Sequence, residues 1–312
     1  MRLTVLALIA GLLPGAAPAR DLGFVTSQNG NAVSVIDLET AGIMATVPLP
    51  GAPAPVAYDE AADRAYVIAA DTGRLWVLDS AGQILKQRDL GQGAFGLATG
   101  PQGAVYVADW FRGRLSRFGP DLQPVWQSET GAAPAGVAVD QAGDLIAVAE
   151  RDDNSIAIFR ADDGQLLHRV ATAGEHPFAV TFHAGVLYSA DVQSDLLSVI
   201  DPVAGRLIAQ IATGRHPYGI AFAGGRGFVT NQYAGSVTVF DPATRTVLTE
   251  RPVGDYPEGI AALPDGSGVI VANWDSDTAV ILDAGSLSIR AQIDLPPGPR
   301  AFGMFTGRQA GP

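Results

Sequence analysis

One sequence pattern recurs seven times along the chain, at a spacing of about 41 residues. It is clearest where Phe228–Asn231 (FVTN) is followed by Ser236–Asp241 (SVTVFD) and then by Tyr256–Ile260 (YPEGI). The slot of Asn231 recurs at steps of 40 to 42 residues and holds, in order, Ser27, Ala69, Asp109, Glu150, Asp191, Asn231 and Asn273. Short strands and turns repeated at this period are typical of β-propeller blades, in which four-stranded sheets surround a central channel.

Each repeat predicts four antiparallel strands, which we name a to d from the channel outwards. The P-x-G phrase opens strand a, F-V-T-N is strand b, S-V-T-V-F-D is strand c, and the next stretch is strand d. The chain enters with a strand b at Gly23–Ser27 and ends with an unmatched strand a at Pro299–Phe305. We expect these two strands to share a blade and close the ring, because closure removes exposed sheet edges. The prediction is an all-β, seven-bladed propeller that forms a single domain over residues 20–312.

The first 19 residues have the features of a signal peptide. Arg2 precedes the apolar run Leu3–Leu13, and Ala17-Pro18-Ala19 supplies a small-x-small cleavage site. This run is too short to span a bilayer, which needs about 20 apolar residues. We therefore expect cleavage after Ala19, export to the periplasm and no membrane span.

Composition excludes several classes of function. The chain has no cysteine, so disulfides, thiolate metal sites, cysteine nucleophiles and C-x-x-C-H haem attachment are impossible. The formal net charge is −12 and no Lys/Arg cluster is present, which argues against nucleic-acid binding and favours a cationic partner or substrate. No G-x-S-x-G, phosphate-loop or H-E-x-x-H motif occurs. We expect a monomer with no cofactor.

The repeated phrases resemble those of a known family. Phe228–Asn231 (FVTN), Tyr106–Asp109 (YVAD) and Ser34–Asp37 (SVID) are similar to the YVTN-type repeat of bacterial exported β-propellers, over roughly residues 23–307. Blades 2 and 4 depart from the pattern, with Ala69 and Glu150 in the Asn slot. The resemblance implies a fold shared with propellers of nitrite and nitrous oxide reductases, amine dehydrogenase subunits and some lactonases.

In a propeller the d–a and b–c loops emerge on one face, called the top face below, so equivalent residues form a ring around the channel mouth. The residue inside the P-x-G turn is, in order, Ala54, Phe95, Ala135, Phe178, Tyr218, Glu258 and Arg300. Large side chains thus concentrate on consecutive blades. The predicted site is this lopsided arc together with its neighbours in the same loops: Trp110, Phe111, His176, Phe178, His216, Tyr218, Tyr233, Tyr256, Glu258, Trp274 and Arg300.

Each part of this arc allows more than one interpretation. The aromatic side chains either plug the channel or form a patch for a ligand or partner, since aromatic residues and Arg carry much interface energy. Glu258 and Arg300 are expected to form an ion pair, with acid–base catalysis by Glu258 as the alternative. His176 and His216 are read as loop residues rather than metal ligands, because no third ligand is evident. His168 and His183 are expected to have no function.

Two sets of acidic residues are interpreted as structural. Asp37, Asp79, Asp201, Asp241 and Asp283 lie one per blade at the c–d turn and are expected to cap that turn. The loops Asp152–Asn154 and Asp275–Asp277 lack the ligand number of a calcium site.

Three functions follow from the sequence. The first is a non-enzymatic periplasmic propeller whose top face binds a protein or a small ligand. The second is a hydrolase of lactonase type that uses Glu258 and a histidine at the channel mouth. The third, implied by the resemblance, is an accessory subunit beside a periplasmic enzyme. The sequence does not determine whether the channel is open.

Overall fold

The computed structural model describes residues 19–309, which form seven four-stranded antiparallel sheets. Three short 3-10 helices, Pro101–Gly103, Arg151–Asp153 and Gln232–Ala234, are the other regular elements in this part of the chain. The predicted all-β, seven-bladed propeller is confirmed. Residues 1–18, which carry the expected signal peptide, lie outside the described residues. No helix among residues 19–309 is long and apolar enough to cross a bilayer.

The blades are numbered along the chain. Blade 1 consists of β1 (Arg20–Ser27), β2 (Ala32–Asp37), β3 (Gly42–Pro48) and the closing strand β28 (Thr306–Gln309); blade 2 of β4 (Pro53–Asp59), β5 (Arg64–Ala69), β6 (Arg74–Leu78) and β7 (Ile84–Asp89). Blade 3 consists of β8 (Ala94–Gly100), β9 (Ala104–Asp109), β10 (Arg114–Phe118) and β11 (Pro124–Glu129); blade 4 of β12 (Pro134–Val139), β13 (Leu145–Glu150), β14 (Ser155–Arg160) and β15 (Leu166–Ala171); blade 5 of β16 (Pro177–His183), β17 (Val186–Asp191), β18 (Leu196–Asp201) and β19 (Arg206–Ala212). Blade 6 consists of β20 (Pro217–Ala223), β21 (Arg226–Asn231), β22 (Ser236–Asp241) and β23 (Thr246–Pro252); blade 7 of β24 (Pro257–Ala262), β25 (Gly268–Asn273), β26 (Thr278–Asp283) and β27 (Ile289–Asp294).

Packing between neighbouring blades explains the composition of the strands. The b and c strands are buried on both faces, which is why β22 (SVTVFD) and β26 (TAVILD) carry apolar residues without strict alternation. The d strands form the outer rim and are largely exposed, as in β7. Side chains of β21 and β22 share one apolar cluster with side chains of β25, so each sheet is buried by its neighbour.

The glycine of the P-x-G phrase sets how closely the innermost strands approach one another. A Cβ atom on Gly136 would lie 2.3 Å from the carbonyl oxygen of Phe178 in the next blade. The same overlap recurs at Gly219 with Glu258 O (2.6 Å) and at Gly259 with Arg300 O (2.1 Å). Because no side chain fits there, glycine is required by this close approach of one blade to the next.

The threonine of F-V-T-N links adjacent blades in two places. The Thr230 hydroxyl accepts a hydrogen bond from Gly219 N (2.7 Å) in its own blade and donates to Glu258 O (2.8 Å) in the next. Thr26 makes the corresponding pair, accepting from Ala301 N (2.9 Å) and donating to Ala54 O (2.7 Å). These buried hydroxyls connect the turns that carry the top-face residues.

The ring closes in blade 1, but the closing strand differs from the prediction. Regular pairing with β1 is made by β28 (Thr306–Gln309), whereas Pro299–Phe305, the predicted strand, touches β1 only at its ends. In blade 6, residues 218 and 219 stand opposite the single residue Thr230, so strand a has one residue in excess. In blade 1, the six residues 300–305 stand opposite the three residues 24–26. The excess there is three residues, two more than in blade 6. Gly303, at φ 116°, takes a conformation that interrupts a strand.

The two extra residues carry the closing segment across to blade 2. Phe302 O accepts from Val56 N and Met304 O accepts from Tyr58 N, each at 2.8 Å. The segment therefore forms a short parallel pairing with β4 and brings Phe302 into the channel.

Substitution of Gly136 tests the close approach between blades. Gly136→Ala places a methyl group against the Phe178 carbonyl, and we expect it to destabilise the fold by about 1–3 kcal/mol, as overpacking does. Gly119→Ala is the control, because a Cβ there meets nothing nearer than 3.9 Å. Thermal denaturation followed by circular dichroism measures both; equal Tm values for the two variants would contradict this account.

Candidate functional site

The residue before each turn proline has left-handed backbone geometry. His176, His216 and Tyr256 have φ values of 56°, 63° and 51°, as do the smaller residues at the same position in other blades. The turn is held by side-chain acceptors from the preceding blade: Asn154 Oδ1 accepts from His176 N and Asp195 Oδ1 accepts from His216 N, both at 2.8 Å. Residues on either side of the proline therefore have different surroundings. His216 lies against the b–c loop, and Tyr218 lies in the channel.

Four aromatic rings close the top of the channel, and we call them the aromatic plug: Phe95, Phe178, Tyr218 and Phe302. The ring centroids of Phe178 lie 4.4 Å from those of Tyr218, 5.3 Å from Phe302 and 5.9 Å from Phe95. Trp110 extends the plug, with its ring 5.6 Å from that of Phe95. For these residues the channel-plugging interpretation is the one that the geometry supports. Neither Phe95 nor Phe302 was among the predicted site residues: Phe95 was noted only as a member of the ring of turn residues, and Phe302 was assigned to a regular strand.

Glu258 and Arg300 form the predicted ion pair at the edge of the plug. Arg300 Nε donates to Glu258 Oε2 (2.5 Å) and Nη2 donates to Oε1 (3.0 Å), while Arg300 Nη1 donates to Gln28 Oε1 (2.7 Å). Gln232 Nε2 also donates to Glu258 Oε1, at 2.5 Å. The Arg300 guanidinium lies over the Phe302 ring, 4.9 Å from its centroid. This pair fastens the closing segment to blade 7.

The surroundings of Glu258 do not favour acid–base catalysis. Its side chain is only 2% exposed and both carboxylate oxygens are occupied by Arg300 and Gln232. Burial raises the pKa of Glu258, and the Arg300 charge and the hydrogen bonds from Arg300 and Gln232 oppose that rise. A buried carboxylate saturated in this way presents no free oxygen to a substrate, and loss of its partner would leave an uncompensated buried charge.

Removal of Arg300 tests the structural role of this pair. Arg300→Met leaves a buried carboxylate uncompensated, so we expect a loss of about 3–5 kcal/mol. The loss should be smaller at pH 5 than at pH 8, because protonation of Glu258 relieves the unpaired charge. Arg308→Met is the control: Arg308 pairs with Asp21 at the surface, where an ion pair contributes about 0–1 kcal/mol. Chemical denaturation at both pH values measures these changes, and equal losses in the two variants would contradict the prediction.

A second aromatic group lies on the top face outside the plug, and we call it the ring ladder: His216, Tyr233, Tyr256 and Trp274. The His216 and Tyr233 rings stack with centroids 3.9 Å apart and planes 12° from parallel. Tyr233 then contacts Tyr256 at 5.6 Å, and Tyr256 contacts Trp274 at 6.1 Å. Tyr233 is 49% exposed and Tyr256 is 39% exposed. Burial lowers the pKa of His216, which favours the neutral ring in this stack.

The remaining predicted site residues are divided between these groups and other surroundings. Arg151 lies over the Trp110 ring, 5.5 Å from its centroid. Phe111 is 74% exposed and contacts neither the plug nor the ladder through its ring. The buried Nδ1 of His176 has no hydrogen-bond partner within residues 19–309. The predicted single arc is thus divided into an inner and an outer group of rings, which approach each other at His216 and Tyr218, whose ring centroids lie 6.5 Å apart.

In blades 4 to 7 the side chain in the Asn slot fastens the b strand to its neighbouring loop or c strand. Asn273 Nδ2 donates to Val253 O (2.9 Å) and Asn231 Nδ2 donates to Thr238 Oγ1 (2.9 Å). Glu150 instead accepts from Gly131 N and pairs with Arg169. Asp191 accepts from Gly174 N, Ser189 and Ser198, with no cation among its partners. These contacts are structural.

Asp191 supplies a pH-dependent test of this slot. Burial raises its pKa from 3.8 to about 6 against its hydrogen bonds, so the folded state holds the proton more tightly and the free energy of unfolding falls as pH rises from about 4 to about 6. We expect Asp191→Asn to be near neutral at pH 4 and to stabilise the protein at pH 7.5 by up to about 3 kcal/mol. Asn231→Asp should instead destabilise the protein at pH 7.5. The Asn231 amide donates to the hydroxyl groups of Ser236 and Thr238, and a carboxylate cannot donate these hydrogen bonds. Tm values of both variants at the two pH values measure this, and a pH-independent effect of Asp191→Asn would contradict it.

The acidic residues of the c–d turns cap their own turns, as predicted. Asp241 Oδ1 accepts from Ala243 N and Thr244 N, and Asp37 Oδ1 accepts from Glu39 N and Thr40 N. Within residues 19–309 no three His, Asp or Glu side chains are grouped closely enough to hold a metal ion.

A cavity of about 760 Å³ occupies the channel below the plug, and no sequence motif indicates it. Its upper end is formed by Phe95, Phe178, Tyr218 and Phe302, and its lower end by turns that include Ala142, Gly185 and Val203. Phe178 is only 7% exposed, whereas Val203 is 79% exposed. Because the plug rings pack against one another across the upper end, we take the open end of the cavity to be at the opposite, bottom face. His183, expected to have no function, lies on its wall.

Similarity to known proteins is confined to the fold. No family model matches the sequence, and no curated protein matches it significantly. A functionally unknown protein from Desulfotomaculum acetoxidans DSM 771 superposes with a TM-score of 0.75 at 13% identity, over 90% of this chain and 99% of that chain. A chain of Kuenenia stuttgartiensis hydrazine synthase has a TM-score of 0.75 at 15% identity, over 89% and 100% of the two chains. The dihydro-heme d1 dehydrogenase NirN, in complex with DHE, has a TM-score of 0.64 at 16% identity, over 90% and 74%.

Proposed function

We propose that this protein is a binding and scaffold propeller whose ring ladder docks a partner protein at the top face. The observation that carries the proposal is the unbroken contact from His216 through Tyr233 and Tyr256 to Trp274, with its two central rings substantially exposed. Rigid aromatic side chains lose little conformational entropy on binding and supply much of the energy at interfaces.

The charges beside the ladder favour a basic partner surface. Asp255 and Asp275 are exposed, and in the part of the chain that the structure describes their carboxylates form no ion pair and accept no hydrogen bond. A partner arginine or lysine would meet these carboxylates and the faces of Tyr256 and Trp274 together, through charge attraction and cation–π contact. The net charge of −12 supports the same choice.

The sequence supports an exported member of the YVTN repeat type. The apolar run at Leu3–Leu13 and the Ala17-Pro18-Ala19 site favour export to the periplasm, where we place the protein. Hydrazine synthase and NirN, two of the similar folds, are named as enzymes. A role as accessory subunit to a periplasmic enzyme is therefore the form of scaffold that we propose. No contact at Glu258 favours the alternative of a lactonase.

Affinity capture with a matched surface control tests this proposal. The tagged protein is incubated with a periplasmic extract of the producing organism, beside Tyr233→Ala/Trp274→Ala and beside Val203→Ala on the bottom face. We expect a near-stoichiometric partner that is retained by wild type and Val203→Ala and is reduced at least tenfold by the ladder variant. Capture should also weaken as salt rises, because the charge contribution is screened.

The ladder variant should remain folded, as circular dichroism would show, with a Tm lowered by several degrees because Trp274 is only partly exposed. A partner retained equally by all three proteins would contradict docking at the ladder. A partner lost from Val203→Ala but not from the ladder variant would move the docking surface to the bottom face.

A further inference from the structure

The cavity below the plug has a wall that is mostly aliphatic. Side chains from the innermost strands of several blades form it, together with the closing segment: Leu97, Val137, Val180, Ile220, Ile260 and Met304. Its volume of about 760 Å³ lies within the range of about 300–1,000 Å³ that is usual for small-molecule sites. Because the aromatic plug closes one end, this is a blind pocket with one entrance and not a through-channel.

Three polar side chains with unused hydrogen-bonding capacity line one side of the pocket. The hydroxyl groups of Thr99 on β8 and Thr181 on β16 make no hydrogen bond to any described residue, and neither does the imidazole of His183. The His183 ring is stacked on Phe222 with centroids 3.9 Å apart and planes 3° from parallel, which fixes its orientation. A small number of fixed polar groups in an apolar wall is the arrangement that orients a ligand.

The pocket offers no positive charge to a ligand. No Lys or Arg is among its lining residues. Its one carboxylate, Asp140, accepts from Asp144 N and Leu145 N at Oδ1 (both 2.8 Å), and its negative charge would repel an anionic ligand. Burial lowers the pKa of His183, which favours the neutral ring at physiological pH. A ligand carboxylate or phosphate would therefore have no counter-ion, and burying an unpaired charge is costly.

We propose that this pocket is a second binding site, for an uncharged, mainly apolar small molecule with one hydrogen-bonding end. The apolar body lies against the aliphatic wall below Phe302, and the polar end bonds to the hydroxyl of Thr181. Entry is from the bottom face, past the exposed Val203. The site is not formed by the ring ladder, so the test of this proposal does not depend on the proposed partner docking.

Fluorescence titration with N-phenyl-1-naphthylamine, an uncharged apolar dye, tests the site. We expect saturable binding with one dye per chain and displacement by 2-naphthol at a concentration at least tenfold lower than by 2-naphthoate, which shares the ring system but carries a charge. Thr181→Phe fills the pocket and should weaken dye binding at least tenfold. Thr246→Phe, the same change on the exposed strand β23, should leave it unchanged, and so should Tyr233→Ala/Trp274→Ala.

A smaller substitution decides the matter if Thr181→Phe does not fold. Thr181→Val keeps the shape of the side chain and removes the hydroxyl, so 2-naphthol should displace the dye several-fold less well while the affinity for the dye itself is retained. Absence of saturable dye binding to wild type would overturn the proposal. So would unchanged dye affinity in a folded Thr181→Phe, or, where only the valine variant folds, unchanged displacement by 2-naphthol.

Discussion

The structure depends on the close approach of one innermost strand to the next around the channel. At four of the steps, those of Gly96, Gly136, Gly219 and Gly259, a carbonyl oxygen of the next blade lies where a Cβ atom on the glycine would lie, as Phe178 O does for Gly136. Thr26 and Thr230 add hydrogen bonds that cross between blades at the same level. The residue inside each P-x-G turn is thereby held at a fixed place on the ring, so its side chain faces its counterparts from other blades. Every feature of the top face follows from that spacing.

Ring closure adds the asymmetry that the repeats alone lack. The two extra residues of the closing segment bring Phe302 into contact with Phe178 and Tyr218, and the Glu258–Arg300 pair holds that segment in place. A channel that would otherwise run through the molecule is divided into a plugged top and a blind pocket that opens below. The two faces are thus separate surfaces: the ring ladder above meets solvent and the pocket below is lined by aliphatic side chains.

The sequence repeat made the fold and part of the top face predictable. Equivalent turns of neighbouring blades lie side by side around the channel, so the Glu258–Arg300 pair could be predicted from the repeat. The turn-capping role of Asp241 followed from its place in a c–d turn, where the aspartates of different blades stay apart. The division of the aromatic arc could not be predicted in this way. His216 and Tyr218 flank Pro217 and their ring centroids lie 6.5 Å apart, yet His216 stacks on Tyr233 and Tyr218 packs on Phe178. The role of Phe302 depends on a local insertion that the apolar pattern of 299–305 does not show, although Gly303 was a signal. The pocket could not be predicted, because it is enclosed by innermost strands of several blades. Which hydroxyl groups have no partner, such as that of Thr181, depends on how those strands are paired and packed.

Hydrogen exchange of the protein with and without its captured partner tests the central claim, that the ring ladder is a docking surface. The account predicts slower amide exchange in the top-face loops at 214–218, 232–236, 254–258 and 273–277, and unchanged exchange in the bottom-face turns at 140–145 and 183–186. Protection confined to the bottom-face turns, or protection spread evenly over all blades, would contradict it.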